Sequence, residues 1–278
     1  MDYLAFRYTK TQYKSLIDFN DKVKRADVDD IEERLKGKSE ALFLSGGLDS
    51  SLLAAINKPE VAYTAVFTEG KSELHFAERV AEHLGIPLIP VLITREAYLA
   101  TIELLIRNKG DGLHPNEPCL YLMAKQASKD GFDTITSGEG ADGLFGGYTK
   151  LLTGNFMTDE GTFRSRYLQV ETGVEIPFKK WQEWGMYRFL IEMHTPALID
   201  RAVNACHTAG MEIEFPYIEN GISQIMWEAP MGQKIDKPIL KEIATKYLPL
   251  DLVYKEKIGF PTPWPVEGFL RLNKEIGW

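Results

Sequence analysis

Hydrophobic and polar positions follow two alternating periods over the first 150 residues of the chain. Four short apolar runs have the length of buried strands: 41–45, 61–67, 87–92 and 132–137. Apolar residues recur at helical spacing in the segments that follow: 50–57, 73–84, 95–108 and 117–129. Alternation of this kind predicts an α/β fold, a doubly wound parallel sheet with helices on both faces.

Outside this region the strand pattern is weak. Residues 1–40 are polar, with a helical pattern at Asp29–Leu35, and 151–180 resemble a loop or a partly mobile connection. Residues 181–250 predict helices broken at four prolines: Pro196, Pro216, Pro230 and Pro249. We therefore expect a single domain over 1–278, with an α/β core over 1–150 and a mainly helical part over 151–278.

The segment Ser45–Ser51 (Ser-Gly-Gly-Leu-Asp-Ser-Ser) joins the first apolar run to a helical pattern. Glycines allow close backbone approach, and the N–H groups of a helix N-terminus attract anions. Asp49 would repel a bare phosphate but could hold a Mg²⁺ bound to phosphate. The segment predicts a site for metal-bound pyrophosphate, and hence for a nucleotide.

A second glycine-rich segment, Ser137–Tyr148, follows the fourth apolar run and contains Glu139 and Asp142. Ligands of parallel sheets bind beyond the carboxyl ends of the strands, where both glycine-rich segments are expected. Asp142 could supply a second carboxylate to the same Mg²⁺. Two alternatives stay open here: a glycine-rich connection with exposed acids, and a dinucleotide fingerprint formed by Gly138, Gly140 and Gly143.

Composition narrows the class of protein. The chain has 278 residues, 44% hydrophobic and 26% charged, with a net charge of −8. The negative charge argues against general binding to nucleic acid or anionic membranes. No apolar stretch has membrane-spanning length, no signal peptide is evident, and two cysteines cannot form a disulfide framework or a cysteine zinc site. We expect a cytoplasmic protein.

The two glycine-rich segments together resemble a known family. Ser45–Ser51 is similar to the pyrophosphate loop of the ATP pyrophosphatases. With Ser137–Tyr148 it resembles the synthetase domain of asparagine synthetases and of the related β-lactam synthetases. Pro216–Glu219 and Lys255–Phe260 are similar to further segments of that family, and the resemblance covers about 30–265.

The resemblance implies an adenine nucleotide alpha hydrolase-like fold and a ligase that uses ATP and Mg²⁺. A substrate carboxylate would be adenylated with release of pyrophosphate, and an amine would then form an amide. Lys257 and Glu139 would act at the reacting groups, and Asp49 and Asp142 would bind Mg²⁺. The implied ATP and pyrophosphate site comprises Leu44, Ser45, Gly46, Gly47, Leu48, Asp49, Ser50, Ser51, Val66, Ser137 and Gly138.

Three positions depart from the family pattern. Asp2 stands where complete asparagine synthetases have the glutaminase nucleophile, so we expect no glutaminase domain. The amine would then be free ammonia, ammonia from a separate glutaminase subunit, or another compound. Gly143 replaces a usual acid, and Glu214 a usual arginine, so the carboxylic acid substrate need not be aspartate. The alternatives are a specialised amide- or lactam-forming enzyme, a catalytically silent nucleotide-binding module that regulates a partner, and a dinucleotide-dependent oxidoreductase.

Overall fold

The computed structural model describes residues 16–69, 73–110, 113–154 and 178–256. In the first half of the chain the elements are α1 (Val28–Leu35), β1 (Ala41–Phe43), α2 (Leu48–Asn57), β2 (Val61–Phe67), α3 (Leu74–Leu84), β3 (Leu88–Ile93), α4 (Arg95–Lys109), α5 (Glu117–Lys129) and β4 (Thr134–Thr136). The second half contains α6 (Ala141–Leu144), α7 (Thr149–Thr153), α8 (Phe178–Phe189), a π-helix (Leu190–His194), α9 (Thr195–Thr208), β5 (Glu212–Glu214), α10 (Ile222–Glu228), a 3-10 helix (Met231–Gln233), α11 (Pro238–Ala244) and α12 (Leu250–Val253).

The five strands form one parallel sheet in the order β3-β2-β1-β4-β5. The central strand β1 pairs with β2 through Ala41 and Val61, and with β4 through Leu42 and Thr136. The sheet is flanked by helices, with α3 and α5 both packed on β2 and β3. This arrangement confirms the predicted α/β fold. The strand order reverses direction at β1, and such a switch point is where open parallel sheets bind ligands.

The fifth strand was not predicted. Its sequence is Glu-Ile-Glu, and only Ile213 is buried. One apolar residue gives no period that can be read from sequence. The strand forms because its backbone pairs with β4, with Ile213 opposite Ile135.

The chain forms two compact units. The sheet unit comprises the described residues within Lys36–Gly138 and Arg201–Glu214, and those from Ala244 onward. It contains all five strands and a core of side chains from β2, β3, α4 and α5: Phe67, Ile93, Tyr98, Ile102, Leu105, Ile106, Cys119 and Tyr121.

The helical unit comprises the described residues up to Leu35 and those within Glu139–Asp200 and Phe215–Ile243. One of its apolar clusters consists of Trp181, Met186, Phe189, Leu190 and Met193. The expectation of one domain over 1–278 stays a prediction.

The chain does not break at Pro196 as the sequence suggested. The π-helix stands directly before α9, and Pro196 is the second residue of α9. Proline has no N–H to continue the α-helical hydrogen bonds, and a wider π turn accommodates such a gap. Most of the predicted 151–180 connection, 155–177, lies outside the described residues. In the part of the chain that the structure covers, no helix has the length and apolar character needed to cross a membrane.

Candidate functional site

The segment that follows β1 turns sharply through glycine into α2. Gly46 has φ of +73°, a conformation that L side chains rarely adopt. A Cβ atom at this position would lie 2.5 Å from the backbone nitrogen of Ala77 and 2.6 Å from the carbonyl carbon of Phe76. Position 46 therefore requires glycine for two reasons, its backbone angle and its close approach to the first turn of α3.

The N-terminus of α2 is capped by a residue that has no side chain. Gly47 is the N-cap and makes no side-chain cap hydrogen bond. The first N–H groups of a helix have no partner within the helix, so this end presents backbone donors and the positive end of the helix dipole. Asp49 lies in the first turn of α2.

Two serine hydroxyls hold the shape of this turn. The Ser45 and Ser50 hydroxyl oxygens lie 3.1 Å apart, within hydrogen-bonding distance. The Ser45 N–H donates to Ser50 Oγ at 3.2 Å, and the Gly47 N–H donates to Ser45 Oγ at 3.2 Å. These contacts fix the backbone that an anion would approach.

Ser51 differs from the other two serines. Its side chain is buried, and its Oγ has no hydrogen-bond partner among the described residues. A buried hydroxyl without a partner is costly and calls for an explanation. A donor of this kind beside a helix N-terminus fits a phosphate oxygen as its acceptor.

The second glycine-rich segment contacts the first within the sheet unit. A Cβ at Gly138 would lie 3.2 Å from the backbone nitrogen of Ser50 and 3.4 Å from Asp49 Cβ. The preceding residue, Ser137, is buried, and its N–H donates to the Glu214 carbonyl at the end of β5 at 2.9 Å. The structure thus brings Gly138 against the first turn of α2, as expected for adjacent strands β1 and β4.

The remaining nucleotide-site residues also lie in the sheet unit. Leu44 is buried directly after β1, and its N–H donates to the Tyr63 carbonyl at 2.9 Å. Val66 is half-buried near the carboxyl end of β2, and Leu48 begins α2. Their contact with adenosine stays a prediction.

Glu139 and Asp142 belong to the helical unit, where Asp142 lies in the short helix α6. Asp142 forms an ion pair with Lys237, with Oδ1 and Nζ 2.6 Å apart. The Lys237 side chain is 7% exposed and that of Asp142 21%. The structure thus places the Asp142 carboxylate against a mostly buried ammonium group.

Glycines around this ion pair make room for side chains. A Cβ at Gly147 would lie 2.1 Å from Asp142 Oδ1 and 2.3 Å from Lys237 Cε. A Cβ at Gly143 would lie 2.0 Å from Thr195 Oγ1, a buried hydroxyl without a hydrogen-bond partner among the described residues. The hydroxyl of Thr195 therefore leaves no space for a side chain at position 143.

A buried lysine supports the same part of the helical unit. Lys234 Nζ donates to the Trp227 carbonyl at 2.9 Å and lies 4.0 Å from the centre of the Tyr187 ring. Burial lowers the pKa of Lys234 to about 8. Its own carbonyl would lie 2.5 Å from a Cβ at Gly146, so the 234–237 segment is packed against the residues after α6.

Lys257 lies outside the described residues. The neighbouring Lys255 places its Nζ 4.2 Å from the centre of the Phe76 ring and 4.0 Å from a Glu73 carboxylate oxygen. Sequence reasoning missed Lys237 and Thr195, because no local pattern links either residue to the segment that contains Asp142.

The geometry of the turn between β1 and α2 fits a phosphate group. The uncapped helix start, the buried Ser51 hydroxyl and the close approach of Gly138 are features of an anion site. Among the described residues, no group of three or more His, Cys, Asp or Glu side chains is arranged to hold a metal ion. Mg²⁺ commonly takes one or two carboxylates together with phosphate oxygens.

Comparisons with known proteins agree with this geometry. The chain is 26% identical over 261 residues to a putative glutamine-hydrolysing asparagine synthetase of Methanocaldococcus jannaschii, covering 84% of this chain and 47% of that protein. It is 25% identical over 246 residues to asparagine synthetase B of Escherichia coli, named as glutamine-hydrolysing, covering 79% and 40%.

The chain thus spans about half the length of these curated relatives. A third match, to glutamine-hydrolysing asparagine synthetase 1 of Bacillus subtilis, is 39% identical over 112 residues, 38% of this chain and 18% of that protein. The asparagine synthase family model matches residues 31–275, which include both glycine-rich segments and every strand. The match covers most of the chain, and the first strand of its parallel sheet leads into the Ser45–Ser51 turn. The chain therefore belongs to the asparagine synthase family.

Proposed function

We propose that the chain is an ATP-dependent carbon-nitrogen ligase that adenylates a substrate carboxylate, releases pyrophosphate and forms an amide with ammonia or another amine. The observation that carries the proposal is the turn between β1 and α2. There Gly46 approaches α3, Gly138 approaches α2, and the buried Ser51 hydroxyl lacks a protein partner among the described residues. Family membership supports the same chemistry.

The predicted ATP site would lie between the Ser45–Ser51 turn and the residues that follow β4. Backbone N–H groups and hydroxyls of Ser45–Ser51, with Ser137, would bind the phosphates of ATP, and Leu44, Val66 and Gly138 would line the adenosine. This arrangement would hold the α-phosphorus in line with the attacking carboxylate. The fixed donors would also stabilise the negative charge of the leaving pyrophosphate.

Asp49 and Asp142 would be the carboxylates that hold Mg²⁺. When bound, Mg²⁺ would supply positive charge that offsets the charge on the leaving pyrophosphate. Glu139 would position the acyl group or move a proton of the amine. Lys257 would stabilise negative charge on the reacting oxygen atoms in both half-reactions.

The identity of the carboxylic acid is the open part of the proposal. Asparagine is the default product, because the relatives are named asparagine synthetases. Glu214 favours a second candidate, an amide- or lactam-forming enzyme for another acid. It ends β5, where its carbonyl accepts the Ser137 N–H, and a carboxylate there suits a substrate with a cationic group. The names of the relatives also suggest a separate glutaminase subunit as one source of ammonia.

The test is an assay of ATP turnover with a panel of carboxylic acids and amines, including aspartate and acids that carry a cationic group. We expect one acid to stimulate release of AMP and pyrophosphate in equal amounts, with an amide product identified by its mass. Binding of ATP without turnover would favour a silent regulatory module. Binding of NAD without ATP would favour an oxidoreductase.

Asp49→Asn provides the matched test of the metal assignment. We expect pyrophosphate release to fall by about 10²-fold or more, because the leaving group loses its metal. Asp29→Asn is the control, since Asp29 is also an acid in the first turn of a helix, and it should retain activity within about twofold. Wild-type turnover in Asp49→Asn would contradict the role of Asp49.

A further inference from the structure

The ion pair between Asp142 and Lys237 is built into the helical unit. Its two atoms, Asp142 Oδ1 and Lys237 Nζ, are 2.6 Å apart, and only 7% of the Lys237 side chain is exposed. Removing a lysine and a carboxylate from water is costly unless the geometry of their contact is good. An ion pair in such a place indicates a specific role for the lysine.

The backbone around Lys237 is held in an unfavourable conformation. Asp236 and Lys237 have φ of 65° and 57°, angles that non-glycine residues seldom adopt. The Asp236 N–H donates to the Gly146 carbonyl at 3.0 Å, and the Lys237 N–H donates to the Phe145 carbonyl at 3.1 Å. Strained backbone of this kind concentrates at functional sites, and here it directs one ammonium group to Asp142.

Gly147 preserves the space that the ion pair occupies. A Cβ on this residue would lie 2.1 Å from Asp142 Oδ1 and 3.0 Å from Lys237 Nζ. The φ of Gly147 is not in the left-handed region. The need for glycine at this position is therefore steric, and it concerns the ion pair itself.

A nearby lysine shows what an ordinary surface ion pair looks like in the same segment. Lys241 Nζ lies 2.6 Å from Asp236 Oδ2, with 21% of the Lys241 side chain and 68% of the Asp236 side chain exposed. Exposed pairs of this kind contribute little to stability. Lys241 thus provides a matched control, with the same side chain and the same kind of partner in solvent.

We propose that Lys237 is a positioning residue that acts as an internal counter-cation, holding the Asp142 carboxylate in place until a divalent cation displaces the ammonium group. The inference rests on the proposed function, in which Asp142 binds Mg²⁺. The ammonium lies against Oδ1, so a Mg²⁺ on this carboxylate would be repelled by a positive charge close to it while Lys237 keeps its place. Lys237 therefore competes with the metal and keeps the carboxylate oriented in its absence.

The test is a titration of the full chain with Mn²⁺ in the absence of nucleotide. The electron paramagnetic resonance signal of free Mn²⁺ gives the amount of ion that remains unbound. We expect Lys237→Met to bind Mn²⁺ about tenfold more tightly than the wild type, because it removes a competing charge beside the ligand. Lys241→Met should bind as the wild type does. Lys237→Arg, which keeps the charge, should not gain affinity.

A double variant links the effect to the carboxylate. In Lys237→Met with Asp142→Asn, the gain in Mn²⁺ affinity should disappear. Lys237→Gln keeps a hydrogen-bond donor without the charge and should shift the affinity in the same direction as Lys237→Met. It replaces Lys237→Met if thermal unfolding shows that variant to be misfolded.

The outcomes separate this inference from the function. Equal or weaker Mn²⁺ binding by folded Lys237→Met and Lys237→Gln would overturn the counter-cation role. If Asp142→Asn alone leaves Mn²⁺ binding unchanged, Asp142 is not a ligand, and both the counter-cation role and the metal assignment fall. Release of pyrophosphate from ATP that depends on a carboxylic acid substrate remains an independent measure of the ligase activity.

Discussion

The two compact units of this chain use glycine for different physical purposes. In the sheet unit, Gly46 and Gly138 allow backbone to approach backbone, at α3 and at the first turn of α2. In the helical unit, Gly143 and Gly147 make room for polar side chains, the Thr195 hydroxyl and the Asp142–Lys237 ion pair. The sheet-unit glycines lie at a helix start that presents N–H groups, and those of the helical unit lie beside a carboxylate.

This difference separates two kinds of binding chemistry. Backbone donors at a helix start recognise phosphate through fixed dipoles and need no charged side chain. A carboxylate binds a metal ion through its negative charge, and here the ammonium of Lys237 lies against the Asp142 carboxylate. The comparison predicts that changes to the backbone of the Ser45–Ser51 turn act on nucleotide binding, and that changes beside Asp142 act on metal binding.

The largest effect is expected at Gly46. Gly46→Ala would put an L residue at a left-handed φ, and its Cβ would lie 2.5–2.7 Å from atoms of Ala77 and Phe76. We expect the free energy of unfolding to fall by about 3–5 kcal/mol. Gly85→Ala is the control, because Gly85 has φ of +68° and open space at its Cβ position. Denaturant unfolding should give a loss of about 1–2 kcal/mol for the control. Equal losses would show that the approach to α3 does not require glycine.

A smaller effect is expected at Gly147. Gly147→Ala would press on Asp142 Oδ1 and the end of the Lys237 side chain, which can shift, so we expect a loss of about 1–3 kcal/mol. Divalent cation binding should change while ATP binding in the absence of metal is retained. Gly232→Ala, with nothing within 4 Å of its Cβ position, should change neither property. Weaker binding of metal-free ATP by Gly147→Ala would contradict the separation of nucleotide binding from metal binding.

Two buried serines sharpen the comparison further. Ser51→Ala removes a hydroxyl without a partner among the described residues, so stability should change by less than about 0.5 kcal/mol while ATP affinity falls about tenfold. Ser39→Ala removes a hydroxyl that hydrogen-bonds to Thr136 Oγ1 at 2.9 Å. Calorimetry should show the reverse for this control, a stability loss of about 1 kcal/mol with ATP affinity unchanged. Unchanged ATP affinity in Ser51→Ala would remove the hydroxyl from the site.

The smallest effect concerns Lys234, whose pKa is lowered from 10.5 to about 8 by burial. Between these values the unfolded chain binds the proton more strongly, so this group makes the folded state more stable as pH rises from about 8 to 10.5. The hydrogen bond to the Trp227 carbonyl and the contact with the Tyr187 ring favour the charged form and limit this gain. Lys234→Met should lack this rise when unfolding is measured against pH. Parallel curves for the two proteins would contradict it.

Sequence reasoning located the features that depend on local patterns. The strands β1 to β4 could be predicted from apolar runs, and the turn at Ser45–Ser51 from its two glycines between a strand and a helix. The α2 helix begins at Leu48, two residues before the predicted 50–57 segment, because Gly47 acts as its N-cap. These features are determined by neighbours in the chain.

Features that depend on contacts between distant residues could not be predicted. Ile213 is the only buried residue of β5, and the strand exists through its pairing with β4. Lys237 contacts Asp142 because two residues with positive φ direct it there, and neither is a glycine. The packing of Thr195 against Gly143 likewise follows from the π-helix before α9, for which the sequence offered only Pro196.

The central claim is that both glycine-rich segments bind ATP with its metal, and amide hydrogen exchange with and without ATP and Mg²⁺ tests it directly. In the wild-type protein we predict slower exchange in peptides that cover Ser45–Ser51 and Ser137–Asp142. For Asp49→Asn at the same ligand concentration we predict a smaller effect in both segments. Saturating ATP and Mg²⁺ that leave exchange at both segments unchanged in the wild-type protein would contradict the account.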